Sequence, residues 1–261
     1  MNDFLPARIL PRTGLRLLSL NLAHGRKNGT HQALQRARRI RANLDEIITL
    51  LRHREPDFVA LQEADGPSLW SGSFNHVEYL AAGANFPHHF RGEHVRMAKL
   101  SYGTALLSTH PLHDSRSHRF SATPPMLPKG FVLTNASVSG SPELFIDLVS
   151  VHLDFARKSV RLRQCEELIE HLQHRPYPRI IMGDFNCEWW SSEQTLRRIS
   201  HKLDVHPFQP DDRDLITFPA TRRRIDWILC SSGFTFVHHE VLPDRLSDHR
   251  PVLAEIEYRP E

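Results

Sequence analysis

Hydrophobic residues along this chain recur with two spacings, which predict an alternation of strands and helices. Short, nearly continuous apolar runs are typical of buried strands, and they occupy residues 15–21, 58–63, 103–108, 131–138, 144–153, 179–184, 225–230, 234–242 and 251–258. Helix-like patterns occupy residues 31–54, 68–82, 159–174 and 191–199. Because strands and helices are mixed along the chain, the pattern predicts an α/β protein whose helices cover its sheets.

Local start and stop signals predict the ends of these helices. Thr30 is placed to cap the first helix, and Pro56 prevents its continuation. Gly83 is expected to end the second helix. Ser191 and Gln194 have the spacing of a capping box, so the fourth helix is expected to begin at residue 191.

Composition indicates an ordinary soluble protein. The chain has 261 residues, of which 40% are hydrophobic and 24% charged, values typical of a globular protein with a sizeable core. No apolar stretch approaches the roughly 20 residues that span a bilayer, and the N-terminus lacks the apolar core of a signal peptide. We therefore expect a cytoplasmic monomer without stable membrane insertion.

No linker or repeat divides the chain, which predicts an N-terminal extension over residues 1–14 and a single domain over residues 15–261.

Cysteine spacing and charge narrow the function classes. Cys165, Cys187 and Cys230 are widely spaced without a CxxC pair, which predicts buried reduced thiols rather than disulfides or a zinc site. The net charge of +3 is too small to indicate nucleic-acid binding alone. The arginines at 222–224 directly precede Ile225 and Asp226. They suit either a basic mouth for a phosphate substrate or a solvated surface.

Polar residues recur at the ends of the predicted strands: Asn21, Glu63, His152, Asp184, Asn186, Asp226, Asp248 and His249. A strand end holds a side chain rigidly at the rim of a core, as catalysis requires. Singly, each has an ordinary alternative, such as an Asx turn at Asp184 and Asn186. Jointly they provide what metal-assisted attack on phosphorus needs: a carboxylate to activate water, another to hold a cation, and a histidine facing the phosphate.

The motifs around these residues resemble those of the endonuclease/exonuclease/phosphatase superfamily. That superfamily includes deoxyribonucleases, abasic-site endonucleases, neutral sphingomyelinases and inositol-polyphosphate phosphatases. The matching segments, in order, are Leu20-Asn21, Leu61-Gln62-Glu63, Val151-His152-Leu153, Gly183-Asp184-Phe185-Asn186, Arg224-Ile225-Asp226 and Ser247-Asp248-His249-Arg250-Pro251. The resemblance implies a four-layer α/β sandwich, with two packed β-sheets flanked by helices and a site where the loops of the sheets converge.

The resemblance also implies a metal site and a water-activating group. Glu63 would be the principal ligand of a Mg²⁺ or Mn²⁺ ion, with Asn21 and Asp248 nearby. Oxygen ligands suit these hard cations. Asp184 would activate or orient the attacking water, and Asn186 would hold water or phosphate beside it.

Three further residues would act on the phosphate. His249 would donate to a non-bridging oxygen, while Asp226 would fix its tautomer and raise its pKa. His152 would supply a second donor. Abasic-site endonucleases of this superfamily usually carry tyrosine at that position, so His152 disfavours abasic-site repair and favours the deoxyribonuclease, sphingomyelinase and phosphatase branches.

We therefore expect a Mg²⁺- or Mn²⁺-dependent hydrolase of phosphate esters, acting on a phosphodiester rather than a monoester. Nucleic acid is the favoured substrate, and a lipid headgroup or a small phosphorylated metabolite is the alternative. Trp189 and Trp190 suit either stacking on a base or packing of a loop. A different class of function is an inactive member that binds phosphate ligands or a protein. Such a member should have lost some of the eight residues, and none is missing.

Overall fold

A computed structural model describes residues 14–27, 37–97, 99–138 and 141–259, without the side chains of residues 141–143. The strands are β1 Leu15–Asn21, β2 Phe58–Asp65, β3 His88–Arg91, β4 Val95–Met97, β5 Leu100–Ser108, β6 Leu112–Arg119, β7 Gly130–Val138, β8 Ser141–His152, β9 Arg179–Asp184, β10 Val205–Pro207, β11 Asp226–Ser231, β12 Phe234–Val241 and β13 Val252–Tyr258. The α-helices are α1 Ala37–Arg54, α2 His76–Ala84, α3 Lys158–Leu172 and α4 Thr195–Leu203.

The strands form two mixed sheets. The 7-stranded sheet has the order β12-β13-β1-β2-β5-β3, with β4 also paired to β5, and the 6-stranded sheet has the order β10-β11-β9-β8-β7-β6. A parallel pair lies inside each sheet: β1 with β2, and β8 with β9. Parallel neighbours end at the same edge of a sheet. In the second pair His152 lies directly opposite Asp184.

Three apolar layers hold the two sheets and the helices together. Leu17, Phe58 and Met182 belong to the layer between the sheets. A second layer packs α1 and α2 on the 7-stranded sheet, and a third packs α3 and α4 on the 6-stranded sheet. Each fully buried leucine or phenylalanine contributes about 1.5–3 kcal/mol to this packing. The predicted four-layer α/β sandwich is confirmed.

The second helix begins later than the sequence pattern predicts. Residues 68–75 form turns, in which the Ser71 hydroxyl donates to the Ser68 carbonyl at 3.0 Å, a local bond that competes with a helix. The helix begins after Asn75, whose Oδ1 accepts from two backbone N–H groups. Gly83 lies inside the helix instead of ending it. A Cβ there would lie 2.2 Å from Ile48 Cδ1, so close packing on α1 explains the glycine.

The fourth helix also begins later than predicted. Gln194 has a left-handed backbone (φ 58°), and the helix runs from Thr195 to Leu203, so the predicted capping start at Ser191 is wrong. The first helix ends at Arg54, as Pro56 predicts. Thr30 and residues 31–36 lie outside the described residues.

The short or polar strands β3, β4, β6 and β10 are not predicted by the hydrophobic pattern. β6 and β10 are the edges of the 6-stranded sheet, where one side of a strand lacks a partner and apolar residues are few.

The three cysteines are buried and free, as predicted. Among the described residues, no helix has the length and apolar character needed to cross a membrane.

Gly183→Ala should destabilise the protein, because Gly183 has φ 147° and a Cβ there would lie 2.0 Å from the Val151 carbonyl oxygen. We expect the free energy of unfolding to fall by at least about 2 kcal/mol, measured by urea denaturation. The matched control is Gly233→Ala, where the nearest atom is on the movable ring of Tyr258, at 2.9 Å. Equal unfolding midpoints for the two variants would contradict this account.

Candidate active site

The eight predicted residues converge at one end of the sandwich, where the sheets face each other. All of them except Asp226 line a cleft of about 290 Å³, and Asp226 lies directly behind His249. The remaining residues that line the cleft are Lys129, Phe155, Phe218, Thr221, Arg223 and Ile225. The cleft therefore combines buried carboxylates, cations and exposed aromatic surface.

The backbone of β2 turns Glu63 toward the cleft. The register between β2 and β5 shifts between Leu61 and Ala64, and Glu63 has φ 49°. Such a bulge bends a strand and redirects a side chain. The Glu63 side chain is 22% exposed, whereas the neighbouring residues of β2 are buried.

Asp184 is the centre of the hydrogen-bond network. Asn21 Nδ2 donates to its Oδ2 at 3.0 Å, and the backbone N–H of Asn186 donates to its Oδ1 at 2.9 Å. His152 Nε2 and His249 Nε2 lie 3.4 and 3.8 Å from Oδ2.

Burial raises the pKa of Asp184 to about 7, although the charge of His249 lowers it. A carboxyl group poised near neutrality is suited to take a proton from water.

His249 is held between a carboxylate and an aromatic ring. Its Nδ1 lies 2.9 and 3.0 Å from the two carboxylate oxygens of Asp226, and its ring packs on Phe218 with centroids 4.8 Å apart. Burial opposes protonation, but the charges of Asp226 and Asp184 outweigh it and raise the pKa of His249 to about 10. At neutral pH His249 is therefore a cation with Nε2 toward the cleft.

Thr217 holds the backbone beside this pair. Its hydroxyl oxygen accepts from the N–H groups of Ile225 and Asp226 at 3.0 and 3.1 Å. Thr217 therefore has a structural role beside Asp226.

Glu63 lies among cations. Lys129 Nζ is 3.6 Å from its Oε1, and His24 Nε2 is 3.3 Å from its Oε2. Burial raises the pKa of Glu63, but the neighbouring charges, with His24 and Lys129 foremost, outweigh this effect and hold it at about 2. Glu63 is therefore ionised across the physiological range.

The oxygen donors around Glu63 fit a hard divalent cation. Burial and the charge of Glu63 raise the pKa of Asp248, so these two carboxylates repel each other in a way that a shared cation would relieve. Asn21 adds an amide at the same cleft. A second group of ligand atoms, from Asp184, Asp226 and His249, lies within 4.8 Å of one another.

Sequence reasoning missed His24 and Lys129, which lie beside Glu63, and Phe155, which lines the cleft. Lys129 is 9% exposed, and its Nζ lies 3.4 Å from Nδ1 of His152. A lysine directly before a strand and a histidine directly before Gly25 were the available signals. Neither is specific without the contacts.

The predicted basic mouth is only partly present. Arg223 lines the cleft, but Arg224 is buried and donates to the carbonyls of Phe208 and Gln209 at 2.8 and 2.7 Å. Arg224 therefore has a structural role, because its guanidinium also lies 4.0 Å from the centre of the Trp227 ring.

The tandem tryptophans pack against the protein. Trp189 packs against the helix-covered face of the 6-stranded sheet, and Trp190 contacts the guanidinium of Arg213. Neither tryptophan lines the cleft, so the packing alternative describes this pair.

Comparison with known proteins agrees with this fold. Residues 18–249 match the model of the Endonuclease/Exonuclease/phosphatase family, so the chain belongs to that family. Its fold is the phosphoesterase fold of that family, whose members are hydrolases of phosphate esters that typically use divalent metals. A search of curated protein sequences gives no match.

Solved structures share the fold at low sequence identity. A family member from Beutenbergia cavernae superposes with a TM-score of 0.76 at 18% identity, over 95% of this chain and 72% of that one. The human Nocturnin catalytic domain with bound sulfate gives 0.70 at 17% identity, over 95% of both chains. A mannosyl-6-phosphatase from Bacteroides thetaiotaomicron gives 0.67 at 18% identity, over 94% of this chain and 100% of that one.

Asp226→Asn should lower the pKa of His249 from about 10, because a neutral amide no longer stabilises the imidazolium. The ring of the variant then loses its proton at a lower pH than the ring of the wild-type protein. As the pH rises, any step that needs the imidazolium is therefore lost earlier in the variant. The measurement is a pH titration of the ring nitrogens by NMR, with His249→Gln used to assign the signal. Identical titration curves for His249 with and without the Asp226 carboxylate would contradict the pairing.

Proposed function

We propose that this protein is a divalent-metal-dependent phosphoesterase that hydrolyses phosphodiesters, with nucleic acid as the favoured substrate. The convergence of Asp184, His249 and Glu63 in one cleft carries the proposal. A carboxyl suited to activating water, a cationic donor and an ionised carboxylate surround one volume. That combination suits displacement at phosphorus.

Mg²⁺ or Mn²⁺ is the proposed cofactor, held by Glu63 and Asp248 with Asn21 beside them. When bound, the cation would neutralise negative charge on the phosphate and on the leaving oxygen. The ionised state of Glu63 supports an oxygen-preferring ion, as does the finding that none of the described residues lining the cleft carries a thiol.

Asp184 is the proposed general base. The amide of Asn21 and the backbone N–H of Asn186 fix its two oxygens, so the carboxylate cannot rotate away from a water in the cleft. Asn186 is itself fixed, because its Nδ2 donates to the Leu153 carbonyl at 3.0 Å. A base held in this way accepts the proton of the attacking water with little reorganisation.

His249 and His152 are the proposed phosphate contacts. His249 presents the Nε2–H of an imidazolium, because Asp226 occupies its Nδ1. His152 acts as a neutral ring: burial and the charge of Lys129 lower its pKa well below the ordinary value. Because an ammonium only donates, Lys129 Nζ makes Nδ1 of His152 the acceptor and leaves its Nε2–H as a donor.

An exposed aromatic residue supports a substrate that carries planar rings. Phe155 lines the cleft although its side chain is 59% exposed. Its backbone is held by Asp154, whose Oδ1 accepts from the N–H groups of Ala156 and Arg157 at 2.9 and 2.8 Å. A solvent-facing ring beside a phosphate site, on backbone that is fixed by hydrogen bonds, is suited to stacking on a base.

A second candidate is hydrolysis of a small phosphomonoester. The modest volume of the cleft, about 290 Å³, favours it, and one structural neighbour is a mannosyl-6-phosphatase. An inactive binding member is disfavoured, because the eight predicted residues meet at one site.

Asp184→Asn should reduce hydrolysis by at least about 100-fold, since the variant keeps the shape of the side chain but cannot take a proton. The measurement is nicking of supercoiled plasmid and cleavage of bis(p-nitrophenyl) phosphate and p-nitrophenyl phosphate, each with Mg²⁺, Mn²⁺ or EDTA. The matched control is Asp211→Asn at an exposed position.

Each outcome of this assay assigns a substrate class. Metal-dependent nicking that the Asp184 variant lacks would support the nuclease. Cleavage of the small diester without nicking would replace nucleic acid by a lipid headgroup or metabolite, and cleavage of the monoester alone would support the second candidate. Wild-type turnover by the Asp184 variant would refute the mechanism.

Phe155→Ala should selectively impair substrates that contain a base. We expect kcat/KM for thymidine 5′-(p-nitrophenyl) phosphate to fall about tenfold, as loss of one stacking contact implies. The value for methyl p-nitrophenyl phosphate, which has the same leaving group, should stay unchanged. Phe155→Tyr retains the ring and serves as the control. Equal losses on both substrates would show that Phe155 supports the site without contacting a base.

A further inference from the structure

His24 lies in a tightly determined turn just beyond β1. Ala23, His24 and Gly25 have left-handed backbones, with φ of 44°, 57° and 70°. Strained conformations persist only where the surroundings over-determine them. Here the Ala23 N–H donates to Asn21 Oδ1 at 3.0 Å, and Asn43 Nδ2 donates to the Gly25 carbonyl at 2.9 Å.

The turn presents the imidazole of His24 to two carboxylates. Nδ1 lies 2.7 Å from Asp65 Oδ1, and Nε2 lies 3.3 Å from Glu63 Oε2. Asp65 is completely buried. The rings of Tyr102 and Trp70 contact the imidazole edge-on, at centroid distances of 4.9 and 5.9 Å. Asp65 and the two aromatic neighbours therefore fix the position of the ring, and Nε2 faces Glu63.

We propose that His24 is a positioning residue that holds the carboxylate of Glu63 in place for a divalent cation, with Asp65 as its buried anchor. This inference rests on the proposed metal dependence. Glu63 sits on a bulge and is partly exposed. On the cleft side Lys129 lies 3.6 Å from its Oε1. On the side away from the cleft, His24, which is anchored by Asp65, lies 3.3 Å from its Oε2 and fixes that oxygen.

A partner that fixes a metal ligand in this way affects the affinity for the metal. Partners that orient a ligand from behind typically contribute 10–100-fold to metal binding. His24 itself does not line the cleft, so its contribution passes through Glu63. An ordinary buried histidine would affect stability and leave metal affinity unchanged.

The test is isothermal titration calorimetry of Mn²⁺ into the wild-type protein, His24→Ala and His24→Gln, at a temperature where each is folded by circular dichroism. We expect His24→Ala to raise the Kd for Mn²⁺ about 10–100-fold. His24→Gln should raise it less, because its amide can still donate to Glu63. The matched control is His110→Gln, a buried histidine beside Asp57, where β2 begins at the end remote from the cleft.

The outcomes separate this inference from the proposed function. A folded His24→Ala variant with the wild-type Kd would overturn the role of His24 alone, as would an equal loss in His110→Gln. Absence of Mn²⁺ binding by the wild-type protein would overturn the metal dependence and the inference together. Should His24→Ala not fold, Asp65→Asn removes the anchor's charge; a folded Asp65→Asn variant with the wild-type Kd would overturn the proposed anchoring.

Discussion

The hydrogen bond from Asn21 Nδ2 to Asp184 Oδ2, at 3.0 Å, joins the two sheets at the cleft, and the candidate site depends on it. Apolar side chains fill the space between the sheets, but apolar packing alone specifies relative placement weakly. Buried polar contacts are more demanding, since removing one partner costs about 1–3 kcal/mol. Nearby, Gln62 Nε2 donates to Ser150 Oγ at 3.1 Å, and Ser150 Oγ donates to the Leu61 carbonyl at 3.0 Å. These hydrogen bonds hold the sheets in one arrangement where the site is built.

Two of the carboxyl groups that line the cleft, Glu63 and Asp184, lie in opposite electrostatic environments. Glu63 faces Lys129 and His24, and its pKa falls to about 2. Asp184 is buried near Asp226, and its pKa rises to about 7. One group is therefore a permanent anion suited to a cation, while the other exchanges its proton near neutral pH. Environments that separate the pKa values of two like groups also separate their roles.

The fold and the residues that line the cleft carry different information. Proteins with 17–18% identity superpose over most of this chain, so the sandwich fold tolerates extensive sequence change. A fold does not specify a substrate. In this chain Phe155, Phe218 and Arg223 line the cleft beside the carboxylates and histidines.

Much of the architecture was determined by the sequence alone, and the remainder by contacts between distant segments. Periodicity predicts the central strands because burial on both faces makes them continuously apolar. The polar residues at their ends identify the candidate site, because parallel strands such as β8 and β9 end at one edge and an antiparallel neighbour such as β11 begins there. The hydrophobic pattern does not predict edge strand β6, because a polar segment becomes a strand only when a neighbour pairs with it. His24 and Lys129 carry no local signature of their proximity to Glu63. Only the bulge in β2 and the approach of distant loops bring these side chains together, and electrostatic coupling exists only at such distances.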